Sequence, residues 1–141
     1  MDIRTARPGD GGLLAGYDRH LSREELESLL RLGRIYLLEE EGAFAGWLRY
    51  NLFWDSIPFM NMLYLLEGYR GKGYGRALVQ FWEKEMAGQG YQLLMTSTSS
   101  EEYAQHFYQK LGFHAVGGFL PEGEPYEIIL SKRISSLSSI Q

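Results

Sequence analysis

Tyr69-Arg70-Gly71-Lys72-Gly73-Tyr74-Gly75-Arg76 decides how this chain is read, because an apolar segment runs into it and an amphipathic one runs out of it. The segment before it, Phe59-Met60-Asn61-Met62-Leu63-Tyr64-Leu65-Leu66, is short, uncharged and bounded by turn residues, the pattern of a buried strand. After it, Leu78, Phe81, Trp82 and Met86 recur at spacings of three and four, while Arg76, Glu83, Lys84 and Glu85 lie largely elsewhere on the helical wheel. The spacing predicts a helix with one buried face, opening at Gly75 and ended by Gly88 and Gly90. Between strand and helix, three glycines at alternate positions let the backbone approach a ligand closely and take dihedrals closed to other residues. The helix's first amides are free donors, so a diphosphate seated there meets unpaired N–H groups and the positive end of the helix dipole. Arg70, Lys72 and Arg76 add charge.

Two named phosphate loops fail on this run. The P-loop needs Gly, four residues, then Gly-Lys-Ser/Thr, and no such string occurs; the dinucleotide fingerprint Gly-x-Gly-x-x-Gly breaks at Arg76 or at Leu78. The spacing that fits is Arg70-x-x-Gly73-x-Gly75. Here the chain resembles the GCN5-related N-acetyltransferases (GNAT), whose acetyl-CoA pyrophosphate loop has the form Arg/Gln-x-x-Gly-x-Gly/Ala after a central strand. A second stretch, Ala104-Gln105-His106-Phe107-Tyr108-Gln109-Lys110-Leu111-Gly112-Phe113, resembles the same family's later helix with its Phe-Tyr-x-Lys-x-Gly-Phe pattern. Order and separation match, and the resemblance covers nearly the whole chain. It implies an α/β (α+β) acetyltransferase fold: a mixed central sheet with splayed parallel central strands, flanked by helices. It also implies acetyl-CoA as acetyl donor.

The composition bounds the rest. A chain of 141 residues with 45% apolar content is long enough for one domain with its own core. Lack of cysteine excludes disulfides, thiolate metal sites and a cysteine nucleophile. Fourteen basic against eighteen acidic residues, a net charge of −4, argue against a generic nucleic-acid binder, which draws its affinity from phosphate neutralisation. No run approaches a membrane span and Met1-Asp2-Ile3-Arg4-Thr5 lacks the apolar core of a signal peptide, so no membrane partner and a cytoplasmic location are expected.

Along the chain, Ile3 to Arg7 reads as a first strand, and Leu13, Leu14 and Tyr17 as a short helix. Ser22-Arg23-Glu24-Glu25 reads as a capping box opening a helix that Gly33 closes. Ile35 to Leu38 and Phe44 to Tyr50 flank Glu41-Gly42 as a hairpin, and Tyr91 to Ser97 reads as a strand. Ser99 with Glu102 forms a second capping box, which starts the later helix near residue 100. Phe113 to Phe119 and Glu127 to Leu130 read as closing strands. Residues 1–134 form a single acetyltransferase domain on this reading, and 135–141, rich in serine, a frayed tail.

Acetyl transfer from a thioester to an amine needs an unprotonated nucleophile, stabilisation of the oxyanion and a proton for the departing thiolate. The resemblance places Tyr108 as general acid, because it matches the tyrosine that in this family points at the cofactor sulfur. A phenol of pKa about 10 keeps its proton at neutral pH and can deliver it to a thiolate whose acid form lies at about 8.5. The resemblance also sets the cofactor's backbone partners at Leu65 and Leu66, freed where the strand splays or bulges. The remaining cofactor contacts are Arg70, Gly71, Lys72, Gly73, Tyr74, Gly75 and Arg76. Relatives often carry a carboxylate base on the central strand, but Phe59 to Leu66 has none, and Asp55, Glu67, Glu122, Glu124 or a water relay are left as alternatives. Trp47, Tyr50, Phe53, Trp54 and Tyr64 suggest an aromatic acceptor pocket with Asp55 and Glu67 near it, suited to a cationic or aromatic amine. No histidine pair has metal-ligand spacing, so no metal is expected. The aromatics near Trp54 permit a homodimer. The expected function is acetyl-CoA-dependent N-acetylation of a primary amine, on a small molecule or a protein. Its alternative is a non-catalytic module that binds CoA or acyl-CoA as a sensor or partner subunit.

Overall fold

The computed structural model of the chain describes residues 1–134; the expected frayed tail, 135–141, lies outside them. The described residues form seven strands and four helices: β1 Asp2–Thr5, α1 Gly11–Tyr17, α2 Arg23–Leu32, β2 Ile35–Glu40, β3 Ala43–Phe53, β4 Ile57–Leu65, α3 Tyr74–Gly88, β5 Leu93–Ser99, α4 Ala104–Lys110, β6 His114–Phe119 and β7 Glu127–Arg133. Two compact units divide this chain, the first comprising Met1–Asn51 with Met62–Trp82 and the second Leu52–Asn61 with the segment from Glu83 onward. Among the described residues no helix is long and apolar enough to cross a membrane.

In the first unit the strand order is β1-β2-β3-β4. β1 and β2 run antiparallel with Ile3 opposite Leu38, and β2 and β3 antiparallel with Leu37 opposite Trp47. The hairpin turns at Glu41 and Gly42, both at positive φ (51° and 82°), the geometry that matches strand twist in a two-residue loop. Alternation along the strands sorts the core. Leu37 and Trp47 join Leu14, Leu26, Leu29 and Leu30 of α1 and α2 in one buried cluster. Tyr36, one residue out of phase with Leu37, meets Phe81 of α3 edge-on at 5.0 Å between ring centroids. α2 is capped as its sequence predicts: Ser22 Oγ accepts from the Glu25 amide (3.2 Å), and Gly33 closes the helix at φ 70°.

A buried ion pair fastens this unit. Asp18, next after α1, accepts from Arg49 Nε (2.6 Å) and Nη2 (3.3 Å) and from the Trp47 indole (3.0 Å), and all three side chains are buried. Neither charge has access to water, so each requires the other.

The second unit has the order β4-β5-β7-β6. β4 and β5 are parallel over only Phe59↔Met95 and Met60↔Thr96, whereas β5 and β7 pair antiparallel over their whole length from Leu93↔Arg133 to Ser99↔Glu127. Thr96 Oγ1 donates to the Met60 carbonyl (3.0 Å) across that short parallel ladder. Several boundaries differ from the sequence reading. The second capping box is not used: Ser99 stays in β5 opposite Glu127, and α4 begins only at Ala104. β3 runs on to Phe53, and β4 starts at Ile57, because Trp54 and Asp55 form a tight turn between them with the Ser56 amide donating to the Phe53 carbonyl (3.1 Å).

Asp18→Ala leaves a buried guanidinium and an indole N–H without an acceptor. The expected loss is about 3–5 kcal/mol of unfolding free energy in a denaturant titration. Leu32→Ala, at an exposed position, is expected to change it by less than about 0.5 kcal/mol.

Candidate functional site

The first unit carries the glycine-rich loop, and its geometry begins at the end of β4. Gly46 on β3 has no Cβ, and one built there would stand 2.5 Å from the Tyr64 carbonyl oxygen and 2.7 Å from Leu65 Cδ2. That close approach carries backbone pairing one residue past the strand, so the Leu66 amide donates to the Ala45 carbonyl (2.8 Å). The expectation of a free amide at Leu66 is therefore corrected: β3 has taken it. The Leu66 carbonyl in turn accepts from the Tyr69 amide (2.9 Å), closing a single 3-10 turn over Glu67–Tyr69.

The next residues form the loop itself. Gly71 and Gly73 sit at φ 73° and 84°, where an L side chain is strained. The first backbone bond of α3 runs from the Ala77 amide to the Gly73 carbonyl (3.1 Å), so the amides of Tyr74, Gly75 and Arg76 precede any intrahelical acceptor. Lys72 and Arg76 are exposed beside them. Donors in series at the positive end of a fifteen-residue helix make an anion cradle. Arg70 has a structural contact besides the charge expected of it. Its Nε donates back to the Leu65 carbonyl (2.9 Å) and its guanidinium lies 5.1 Å from the Tyr64 ring centroid. Tyr64 in turn packs on the buried Trp47 at 5.1 Å, while Glu67 is exposed at the start of the 3-10 turn.

One contact was invisible in the sequence. The Tyr74 hydroxyl donates to Glu40 Oε2, joining the first residue of α3 to the last residue of β2. That hydrogen bond holds the Glu40 carboxyl below its ordinary pKa and pushes the Tyr74 phenol above its own.

The second unit holds the other expected residues. Tyr108 on α4 is 7% exposed, with ring contacts to Phe107 (5.3 Å) and Phe113 (5.9 Å). Burial, disfavouring the phenolate, pushes its pKa up to about 12. Thr96, whose hydroxyl donates to the Met60 carbonyl, lies beside the phenol and pulls its pKa down, against the larger effect of burial. The phenol holds its proton. Thr96 could not be singled out in the sequence, because a threonine in an apolar strand carries no pattern of its own. Trp54 (φ 54°, 78% exposed) and Asp55 (φ 61°) occupy the turn between β3 and β4, with Phe53 packed on Trp54 at 4.9 Å and on Phe59 at 5.9 Å. Trp47 and Tyr50, expected near an acceptor, are buried in the core of the first unit.

A cavity of about 450 Å³ opens between α1 and α2, floored by Leu26 and Leu30 and rimmed by Arg23 and Arg31. It shares no residue with the glycine-rich loop. Among the described residues no group of three or more histidines and carboxylates is placed to hold a metal ion.

The family model described as "Acetyltransferase (GNAT) family" matches residues 8–113. No curated protein sequence matches the chain. Among solved structures, a GNAT-family acetyltransferase from Bacillus cereus superposes with TM-score 0.75 at 23% identity, covering 94% of this chain and 96% of that one. The PaiA N-acetyltransferase of Thermoplasma acidophilum, solved with coenzyme A, gives 0.75 at 18% identity, with 94% and 98% covered. N-acetylglutamate synthase of Neisseria gonorrhoeae, solved with coenzyme A and N-acetyl-glutamate, gives 0.79 at 23% identity, covering 94% of this chain and 35% of that one. At these identities the likeness concerns the fold.

A Cβ on Gly73 would meet nothing within 4 Å, so Gly73→Ala tests the positive φ alone. The strain, about 1–2 kcal/mol per residue, is expected to weaken coenzyme A binding about tenfold in a calorimetric titration. Gly68→Ala, equally unobstructed and without a positive φ, is expected to stay within about twofold of the unmodified protein.

Proposed function

The chain belongs to the acetyltransferase (GNAT) family, and from that premise we propose that it transfers the acetyl group of acetyl-CoA to a primary amine, with the loop Arg70–Arg76 holding the diphosphate and Tyr108 acting as general acid. Acetyl-CoA supplies the activated thioester. The observation that carries the assignment of the loop is its backbone: two glycines at positive φ deliver the open amides of Tyr74, Gly75 and Arg76 at the head of α3. Lys72 and Arg76 add long-range attraction for the anion. Arg70 supports the loop from behind through Leu65, and its remaining guanidinium N–H groups stay available to a phosphate oxygen.

Tyr108 serves as acid by keeping its proton. With the phenol pushed up to about 12 by burial, it is protonated across the neutral and mildly alkaline range in which a thiol of pKa about 8.5 leaves as thiolate. Proton transfer from Tyr108 Oη to sulfur is uphill by about 3.5 units between those two values, so the phenol stabilises the departing thiolate by donating a hydrogen bond, and any proton it gives up is restored from solvent. No base is assigned, since β4 carries no carboxylate along Ile57–Leu65.

The acceptor belongs to the same reading. We assign it to the class of primary amines, on a small molecule or a protein, with Tyr64, Glu67, Trp54 and Asp55 as its candidate contacts. Exposure supports these four: Tyr64 is 42% and Trp54 78% exposed, and both carboxylates face water. Residues 1–134 work as a single acetyltransferase domain on this proposal, and the exposed Trp54 indole is a candidate contact for a homodimer.

The first experiment is thermal unfolding with and without acetyl-CoA, coenzyme A and ATP. A ligand at a hundred times its dissociation constant adds about 2.7 kcal/mol to the folded state. Acetyl-CoA and coenzyme A are expected to raise the midpoint and ATP to leave it unchanged. An equal rise with ATP would overturn the assignment of the loop to the diphosphate of CoA.

Tyr108→Phe is expected to keep acetyl-CoA binding and to lower kcat by about 10²–10⁴-fold in a free-thiol assay. Because burial raises this phenol, the acid form is lost only as pH climbs through about 12. The kcat profile of the unmodified enzyme should therefore show no alkaline fall below that pH from this group. An undiminished kcat in the variant would leave a binding module, or another acid, in place of this one.

A further inference from the structure

The contact between Tyr74 and Glu40 lies outside everything the loop motif requires. The motif needs glycines and open amides; it does not call for a phenol at position 74, nor for a carboxylate at the end of β2. Yet the two meet. Tyr74 is the first residue of α3 and directly follows Gly73, one of the two positions where the loop's backbone depends on positive φ. Glu40 is the last residue of β2 and immediately precedes the Glu41-Gly42 turn, so its own backbone is fixed by the hairpin pairing Glu40↔Ala43. Both residues belong to the first unit. On its other side the loop is hooked by Arg70, which reaches the Leu65 carbonyl and the Tyr64 ring.

We propose that Glu40 is a positioning residue for acetyl-CoA: through its hydrogen bond with Tyr74 it pins the head of α3 to the β2–β3 hairpin and holds the loop's amides in their anion-binding arrangement before the ligand arrives. The inference rests on the assignment of the loop to the CoA diphosphate. The physical reason for such a tether is entropic. A loop with two glycines at positive φ is free to leave that conformation, because glycine visits both halves of φ space at little cost. Ordering it at the moment of binding would subtract from affinity, and fixing it in advance removes that cost. Two hooks, Arg70 at the entry and Tyr74 at the exit, bracket the two glycines. The mutual displacement of the two titrations, Glu40 downward and Tyr74 upward, is what a shared proton-donor contact produces.

A carboxylate beside a phosphate site also carries a cost, since it repels the incoming anion, and Lys72 is close enough to act on the same carboxylate. Tether and repulsion predict opposite signs. Glu40→Ala removes both, together with the ion pair between Glu40 Oε1 and the Met1 ammonium (3.2 Å). Glu40→Gln removes the charge and keeps an oxygen that accepts from the phenol. Tyr74→Phe removes the tether and keeps the charge.

The test compares these three variants and the Tyr74→Phe/Glu40→Ala pair by steady-state kinetics and by amide hydrogen exchange of the ligand-free and coenzyme A-bound protein. Tyr74→Phe and Glu40→Ala are each expected to raise the KM for acetyl-CoA about three- to tenfold, the range of a partly exposed hydrogen bond to a charge. Their kcat should change less than twofold, and exchange at Lys72–Ala77 should quicken in the ligand-free state. The double variant should match Glu40→Ala, because Tyr74→Phe deletes an interaction that Glu40→Ala has already removed. Glu40→Gln should stay close to the unmodified KM. The proposal is overturned if Tyr74→Phe leaves KM and loop exchange unchanged, if the two single effects multiply in the double variant, or if Glu40→Ala and Glu40→Gln both tighten binding, which would make repulsion the dominant effect. Coenzyme A protecting amides elsewhere while leaving Lys72–Ala77 unprotected would instead sink the assignment of the loop, and the tether's role in binding with it.

Discussion

The chain has to leave β4 and enter α3 within eight residues while turning its own amides outward. Everything near the loop answers that constraint. Gly71 and Gly73 take the positive φ values that a short outward turn demands. β3 holds the end of β4 through Ala45 and Leu66, at a depth that only glycine at position 46 allows. Arg70, which the motif suggests as a charge for the ligand, spends one donor on the Leu65 carbonyl and so fixes the direction in which the loop departs. A polyanion can then be bound by groups that carry no net charge, which suits a chain whose formal balance is −4.

The same economy of charge governs the core of the first unit. Asp18 and Arg49 are both buried, and the pair spans from the end of α1 to the middle of β3. Such a pair adds little net stability compared with apolar residues of the same volume, but breaking it is expensive. It therefore acts as a selector of arrangement. α1 is a weak helix by composition, with three glycines in seven residues, and a fixed polar anchor next after its last residue supplies registration that its own sequence cannot.

Much of this was legible in the chain, and the exceptions have physical causes. Periodicity gave α2 and α3, and the Ser22 cap and Gly33 closure appear where the pattern puts them, because both are local chemistry. The second capping box failed because Ser99 and Glu102 face a competitor: seven residues of β5 pair with β7, and the ladder keeps Ser99 in the strand. The turn at Trp54 and Asp55 was hidden because tryptophan is a poor marker of positive φ, whereas Glu41-Gly42 announces itself through glycine. Near the proposed site, glycine spacing marks the turn with two positive φ values and the Phe-Tyr pattern marks the buried Tyr108, since both are contiguous motifs. Glu40 and Thr96 were not readable. Each gains its role from a partner 34 or 36 positions away or more locally through the fold, and a single sequence holds no record of such a meeting.

Tyr108 shows why its burial matters as much as its identity. An exposed tyrosine would already hold its proton at neutral pH, so acidity alone does not require an apolar setting. Burial does something else. It places the hydroxyl beside Thr96, whose own hydrogen goes to the Met60 carbonyl. It also raises the phenol to about 12, above a thiol of about 8.5, so the base that competes with a thiolate for this proton is the phenolate itself. With β4 and β5 joined only over Phe59↔Met95 and Met60↔Thr96, the threonine beside the phenol is also the last residue by which β5 grips β4, so the setting of Tyr108 depends on a two-pair parallel ladder.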